Sequence, residues 1–303
     1  MLPFVEMQRP LQESGIIGKG GAAGFLGKAY DPYRLYQDPA KPIKLEDLAL
    51  RKDVPPERLK DRFELLKGIN GSMPDLERAL NSQAIDEYYG KAFDLVLSGK
   101  ARDAFDLSKE SDKVRGRYGM TTFGQGLLLS RRLIEAGTRF VQMNWPSVAN
   151  GNPEVDSWDT HAANFKPLRN LHCPKLDRGL SALLDDLHAR GLLKETLVAA
   201  IGEFGRSPRI GVSTSGNSNA PDGRDHWPYC YSAIVAGCGI AAGAQYGESD
   251  QTASSPKDKP VHPNDLLATV YYALGIDPDM EVRNHLNQPR ELVKGKVVAD
   301  LWA

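Results

Sequence analysis

Cysteine is scarce in this chain. The 303 residues include three, Cys173, Cys230 and Cys238, and no two of them form a C-x-x-C pair. This pattern argues against a disulfide scaffold or a zinc ribbon as the basis of the fold. The chain is long enough to be held together by a hydrophobic core instead.

Long apolar runs and an excess of one charge are lacking as well. No segment approaches the roughly 20 apolar residues of a membrane span, and the start, MLPFVEMQRPLQESG, has neither the basic nor the apolar part of an export signal. Lys and Arg total 38 against 39 for Asp and Glu, and no basic cluster with interleaved aromatics occurs, which argues against a nucleic-acid partner. No G-x-G-x-x-G follows a predicted strand, so a dinucleotide-dependent oxidoreductase has no support.

The residues that are present divide the chain into three regions. Residues 1–55 are rich in Gly and Pro and predict an extended surface segment. Residues 56–137 have helical periodicity, and residues 138–303 alternate strand and helix and form one domain with them. The patterns predict helices from 55, at 86–97, 121–136, 175–190 and 264–274, and strands at 138–145, 196–202 and 231–237. Strands separated by helices predict an α/β fold with a mostly parallel central sheet and helices on both faces.

In such a sheet, functional groups lie in the loops after the carboxyl ends of the strands. The first of these loops is DSWDTHAANF (156–165), in which Asp159 and His161 lie two residues apart. An extended backbone lets this carboxylate and imidazole converge on one ion. The alternative is that Asp159 caps a helix beginning near His161.

The second loop, GEFGRSPRI (202–210), directly follows a predicted strand. Glu203 stands where a metal-binding carboxylate would stand, and Arg206 offers a fixed positive charge suited to an oxyanion such as phosphate or sulfate. Ser207 is a candidate nucleophile by position alone. The alternative is a loop in which Glu203 is ion-paired with an arginine.

The third loop, DGRDHWPYC (222–230), carries adjacent Asp225 and His226 after Arg224. Such a pair offers one oxygen and one nitrogen donor to Zn, Mn or a related divalent ion. The alternative is a buried histidine held by its neighbouring aspartate. Two histidines beside carboxylates in such loops favour the metal interpretation.

These motifs resemble a known family. The runs TLVAAIGEFGRSPRI, GRDHWPYCYSAIVAGC and KPVHPNDLLATVYYALGIDPD look like the C-terminal half of DUF1501 proteins, and AAGFLGKAYDP and WDTHAANF resemble the same family. E-F-G-R-S-P and G-R-D-H-W together are specific, and the match spans nearly the whole chain.

The resemblance implies a fold similar to the alkaline phosphatase and sulfatase superfamily, whose enzymes use two divalent metals. Asp159 and His161 resemble the D-x-x-x-H element of its mutases, with a shorter spacing. Glu203 stands where sulfatases carry Asp-His-Gly, and Asp225 and His226 would supply the remaining ligands for Zn, Mn or Ca. Arg206 and Arg224 would assist catalysis, whereas His262 and Asp265 would be structural.

The resemblance also implies a fold that is incomplete at its N-terminal side, because the family's first strand, its G-G-x-S segment and the following Asp are not found here. The strand at 196–202 or its neighbour should then show an unpaired side or an exposed apolar face. The expected function is metal-dependent hydrolysis of a phosphate or sulfate ester, on a small molecule or a glycan, in a family that is exported. The alternative is a non-catalytic protein that binds metal or sulfated glycan, and the sequence leaves the oligomeric state open.

Overall fold

The computed structural model describes residues 1–8, 12–13, 16–17, 21–45, 54–72, 99–145, 158–214, 216, 219–284 and 286–302. The chain forms two compact units. The first comprises Met1–Gly116 with Gln125–Asn144, and the second comprises Arg117–Gly124 with Trp145–Ala303. The helix predicted at 86–97 lies outside the described residues, and the predicted division at 55 and 137 stays a prediction.

The strands are short and the helices are of ordinary length. The strands are β1 (Phe4–Met7), β2 (Gln12–Glu13), β3 (Ile16–Ile17), β4 (Tyr33–Leu35), β5 (Phe140–Met143), β6 (Val198–Ile201), β7 (Gly205–Arg206), β8 (His226–Trp227), β9 (Ala233–Ala236), β10 (Glu248–Ser249), β11 (Pro256–Asp258), β12 (Glu281–Arg283) and β13 (Pro289–Glu291). The main helices are Pro56–Gly71, Lys100–Phe105, Asp112–Tyr118, Thr122–Glu135, Cys173–Ala189 and Pro263–Ala273. The predicted helices at 121–136, 175–190 and 264–274 and the predicted strands at 138–145, 196–202 and 231–237 are thereby confirmed.

The first unit contains a parallel sheet of three strands in the order β4-β1-β5. Its central strand β1 buries Val5 and Met7 completely. Glu6, also buried, pairs with Arg34 at 3.2 Å and accepts a hydrogen bond from Asn144. The sequence patterns did not identify β1 and β4, which lie within the segment expected to be extended.

A helix and this sheet pack closely in the first unit. Leu128, Leu129 and Leu133 of the helix Thr122–Glu135 are fully buried. A Cβ atom on Gly126 would stand 2.5 Å from the end of the Met143 side chain of β5, so the helix and the strand lie close together at this position. Hydrophobic burial of this helical face therefore contributes to the stability of the unit.

The second unit contains the two best-predicted helices. Cys173–Ala189 buries Leu183 and Leu187, as its spacing of leucines predicts. In Pro263–Ala273, the side chain of His262 accepts from the backbone of Asn264, and the side chain of Asp265 accepts from the backbone of His262. This capping box confirms the structural role expected of His262 and Asp265.

The mixed α/β class is correct, but one large parallel sheet is not what the structure shows. Within the described segments, parallel pairing is confined to the three-stranded sheet, and β6 and β9 pair antiparallel, with Val198 opposite Ala236 and Ile201 opposite Ala233. A parallel pair needs a crossover, usually helical, and the described residues between β6 and β9 contain the short strands β7 and β8 instead. The resemblance to the sulfatase fold stays a prediction.

The β6–β9 pair carries exposed apolar residues. Ile201 and Ile234 are 59% and 51% exposed. Among the residues that the structure describes, β6 pairs with no strand besides β9. An unpaired side and exposed apolar residues were expected for the strand at 196–202. The expectation was argued from a fold that is incomplete at its N-terminal side, and that incompleteness stays a prediction. A search of the described helices finds none with the length and apolarity needed to cross a membrane.

Candidate metal site

Two loops of the second unit are joined by backbone hydrogen bonds around Gly223. Arg224 donates from its backbone to the carbonyl of Thr160, and Ala220 donates to the carbonyl of His161. A Cβ atom on Gly223 would stand 1.8 Å from the His161 carbonyl oxygen. Glycine at this position therefore permits the close approach that brings the first and third loops together.

A short pair of antiparallel strands joins the second loop to the third. Strand β7 pairs with β8, with Gly205 opposite Trp227 and Arg206 opposite His226. A Cβ atom on Gly205 would stand 2.2 Å from the carbonyl oxygen of Cys230, so glycine is required here too. The ladder places the side chains of Arg206 and His226 beside each other, as expected of a cross-strand pair.

The first and third loops bring one carboxylate and two imidazoles together. His161 Nε2 lies 3.0 Å from His226 Nε2, and Asp159 Oδ1 lies 3.1 Å from each of these nitrogens. The three atoms form a nearly equilateral triangle. Asp159 is half-exposed, while His161 and His226 are 19% and 26% exposed, so the triangle opens toward solvent on the side of Asp159.

Asn219 fixes which nitrogen of His161 faces this triangle. Asn219 Nδ2 donates to the carbonyl of Val212 at 3.0 Å, so its oxygen faces His161 Nδ1, at 2.6 Å. A carboxamide oxygen can only accept a hydrogen bond, so Nδ1 of His161 carries the proton. When the ring is neutral, this proton on Nδ1 leaves a lone pair at Nε2, as in a metal-binding histidine with a hydrogen-bonded second nitrogen.

The donor set fits a divalent cation. Ligands bound at about 2.0–2.2 Å stand about 2.8–3.6 Å apart when bond angles lie between roughly 90° and 110°, and all three edges of the triangle are within that range. With a neutral His161 ring, His161 Nε2 and Asp159 Oδ1 are both acceptors, and a proton on His226 Nε2 can serve one of them. A cation lying above the plane of the triangle can contact all three atoms at these distances, so Asp159, His161 and His226 form a possible metal-binding triad.

Arg206 contacts the carboxylate of this triad. Its Nη2 donates to Asp159 Oδ1 at 2.5 Å, and its Nη1 donates to the carbonyl of Arg224 at 3.3 Å. Partial burial tends to raise the pKa of Asp159, but the hydrogen bond and charge of Arg206, with smaller contributions from His226 and His161, outweigh it and lower that pKa. A lowered pKa favours the ionised carboxylate, the form in which Asp159 could bind a cation, and the helix that follows has Asn164 rather than Asp159 at its N-cap.

Asp225 lies behind the triad rather than in it. The residue is fully buried, and its carboxylate accepts from the backbone N–H groups of Thr214 and His226. Its Oδ1 lies 3.6 Å from His161 Nδ1, on the side of that ring facing away from the triangle. Asp225 thus holds the backbone at Thr214 and His226; it is not among the residues whose ligand atoms converge, and its predicted role as a direct ligand stays a prediction.

The other predicted site residues are not among those whose ligand atoms converge in the triad. Glu203 is exposed and is not one of the residues whose ligand atoms converge. The guanidinium of Arg224 lies 5.3 Å from the ring centroid of Phe165. Ser207 is buried, and its hydroxyl donates to the carbonyl of Arg209.

Two residues near the triad carried no sequence signal as site residues. Asn219 belongs to no motif, and Phe204, within E-F-G-R-S-P, packs against His226 with ring centroids 4.6 Å apart. A single asparagine in a polar loop is ordinary in composition, so sequence reasoning offered no means of selecting Asn219. Phe204 forms an apolar wall that restricts how the His226 ring can turn.

A family model described as "Protein of unknown function (DUF1501)" matches residues 1–302, nearly the whole chain. The chain therefore belongs to the DUF1501 family, as its motifs predicted. It matches no curated protein and no solved structure. The wider relation to alkaline phosphatases and sulfatases remains a prediction.

Proposed function

We propose that the chain binds a divalent transition-metal ion through Asp159, His161 and His226 and hydrolyses a phosphate or sulfate ester there. The triangle of ligand atoms with edges of 3.0–3.1 Å is the observation that carries this proposal. Two nitrogen ligands favour Zn²⁺ or Mn²⁺ over Ca²⁺, which prefers oxygen. A bound ion would polarise the ester and neutralise charge that develops on its oxygens.

The surrounding residues suit an anionic ester. Arg206 lies against the triad with its side chain 20% exposed. Nε of Arg224 finds no hydrogen-bond partner within the described part of the chain, and because this nitrogen is buried, an ester could use it only if the side chain moved. Guanidinium groups bind phosphate and sulfate oxygens through such donors. The wider resemblance adds a sulfatase-like fold and an exported location to the proposal.

Metal titration tests the first half of the proposal. Zn²⁺ and Mn²⁺ should bind the metal-stripped chain, and His161→Ala or His226→Ala should weaken binding about 100-fold or more, because each removes one of three protein ligands. His188→Ala is the matched control, since His188 is an exposed helix residue. Equal affinity in all four proteins would place the metal elsewhere.

Hydrolysis of p-nitrophenyl phosphate and p-nitrophenyl sulfate tests the second half. Turnover should require added metal and fall with metal binding in the histidine variants. The hydroxyl of Ser207 is buried and hydrogen-bonded, so it is not available to attack an ester. This favours a second candidate function, non-catalytic binding of metal or a sulfated glycan. Metal binding without turnover of either ester, together with retention on a sulfated-glycan column, would support that alternative.

A further inference from the structure

We propose that Arg206 is a latch on the metal site, which holds Asp159 in the metal-free protein and releases it when a cation binds. The inference rests on the proposed function. Arg206 donates to Asp159 Oδ1 at 2.5 Å, and this is the oxygen that lies 3.1 Å from both imidazole nitrogens. The guanidinium therefore occupies the oxygen through which Asp159 would bind the ion.

The Arg206 guanidinium and a metal ion would both contact Asp159 Oδ1, and these two positive charges repel each other. A divalent ion bound to the triad would stand within a few ångströms of the guanidinium, and like charges that close in a half-buried site repel strongly. Metal binding and the Arg206–Asp159 ion pair therefore compete.

The guanidinium of Arg206 can move away from Asp159 while the backbone stays in place. The β7–β8 ladder fixes the backbone of Arg206 opposite His226, so only the side chain has to swing. Asp159 is 53% exposed, which leaves the ion pair open to solvent on one side. A released guanidinium would remain beside the metal, where it could bind an oxygen of an anionic ester.

Metal and anion binding would then strengthen each other. The metal releases Arg206 for the anion, and an anion that binds Arg206 removes the competitor of the metal. Thermodynamic linkage makes this effect equal in both directions. The latch thus favours assembly of the complete site over binding of either component alone.

Zn²⁺ affinity of the full chain, measured by competition with a chromogenic chelator, tests the latch. Arg206→Gln and Arg206→Met remove the competing charge, so both should bind Zn²⁺ about tenfold more tightly or better, whereas Arg206→Lys keeps the charge and should stay near the parent protein. Arg209→Gln is the charge-matched control, because Arg209 is an exposed residue of the same loop. It should leave the affinity unchanged.

Each outcome separates the two proposals. Tighter Zn²⁺ binding by the neutral variants than by the parent protein supports the latch, and so does Zn²⁺ binding by the neutral variants when the parent protein binds none. Unchanged or weaker binding by these variants overturns the latch while the metal site stands, and no binding by any protein overturns both. Should the neutral variants not fold, NMR of the Arg206 guanidinium in the parent protein decides. Its Nε–H signal should shift on addition of Zn²⁺ while that of Arg209 does not, and an unchanged signal overturns the latch.

Discussion

Asn219 acts at the scale of one residue by setting the tautomer of His161. Replacing it with Ala removes the acceptor of the Nδ1–H group, which lies 2.6 Å away, and frees the ring to turn. Loss of such a partner typically lowers metal affinity about 10- to 100-fold. We expect a decrease of this size for Asn219→Ala in a Zn²⁺ titration.

Asn219→Asp is the informative companion, because aspartate keeps an acceptor oxygen for the Nδ1–H group although it loses the hydrogen bond to the Val212 carbonyl. Its affinity should stay close to that of the parent protein, and nitrogen NMR of His161 should show the proton on Nδ1 in both. An alanine variant that binds Zn²⁺ as tightly as the parent would mean that Asp225, 3.6 Å away, orients the imidazole without Asn219.

At the scale of elements, the site depends on how closely two loops approach. Gly223→Ala would place a Cβ atom 1.8 Å from the backbone oxygen of His161, where no side chain can move aside. We expect this variant to lose about 2 kcal/mol or more of unfolding free energy in urea, as overpacked sites do, and to lose Zn²⁺ affinity with it. Gly202→Ala is the matched control, because its nearest contact is an ordinary 3.5 Å; equal stability of the two variants would contradict the packing argument.

Strongly periodic elements and adjacent functional residues were predictable from the sequence. The helix Cys173–Ala189 has a leucine face long enough to define its helical period. Asp159, His161 and His226 lie in motifs that set carboxylates and imidazoles close together in sequence, which indicates metal binding. Strand β1 has four residues, too few for a period of two to show. The antiparallel β6–β9 pairing was not predictable, because an apolar run fixes no strand direction.

At the scale of the whole molecule, β6 and β9 have a composition that does not match their surroundings. Runs such as VAAI and AIVA are typical of strands covered on both faces, yet Ile201 and Ile234 are more than half exposed. Their register, with Ala200 opposite Ile234 and Ile201 opposite Ala233, puts the two isoleucines on opposite faces. Both faces of the pair are therefore partly open at this end within the described residues.

A short apolar ladder with open edges favours pairing with another chain. We expect the protein to self-associate as its concentration rises, and Ile201→Lys to reduce this association, because a charged side chain on a strand opposes edge-to-edge pairing. Leu286→Lys is the control, since Leu286 is 64% exposed but lies outside the strands. Sedimentation velocity over a wide concentration range measures the effect. A parent protein that stays monomeric throughout, or a Leu286 variant that dissociates as readily as the Ile201 variant, would show that this pair of strands does not drive association.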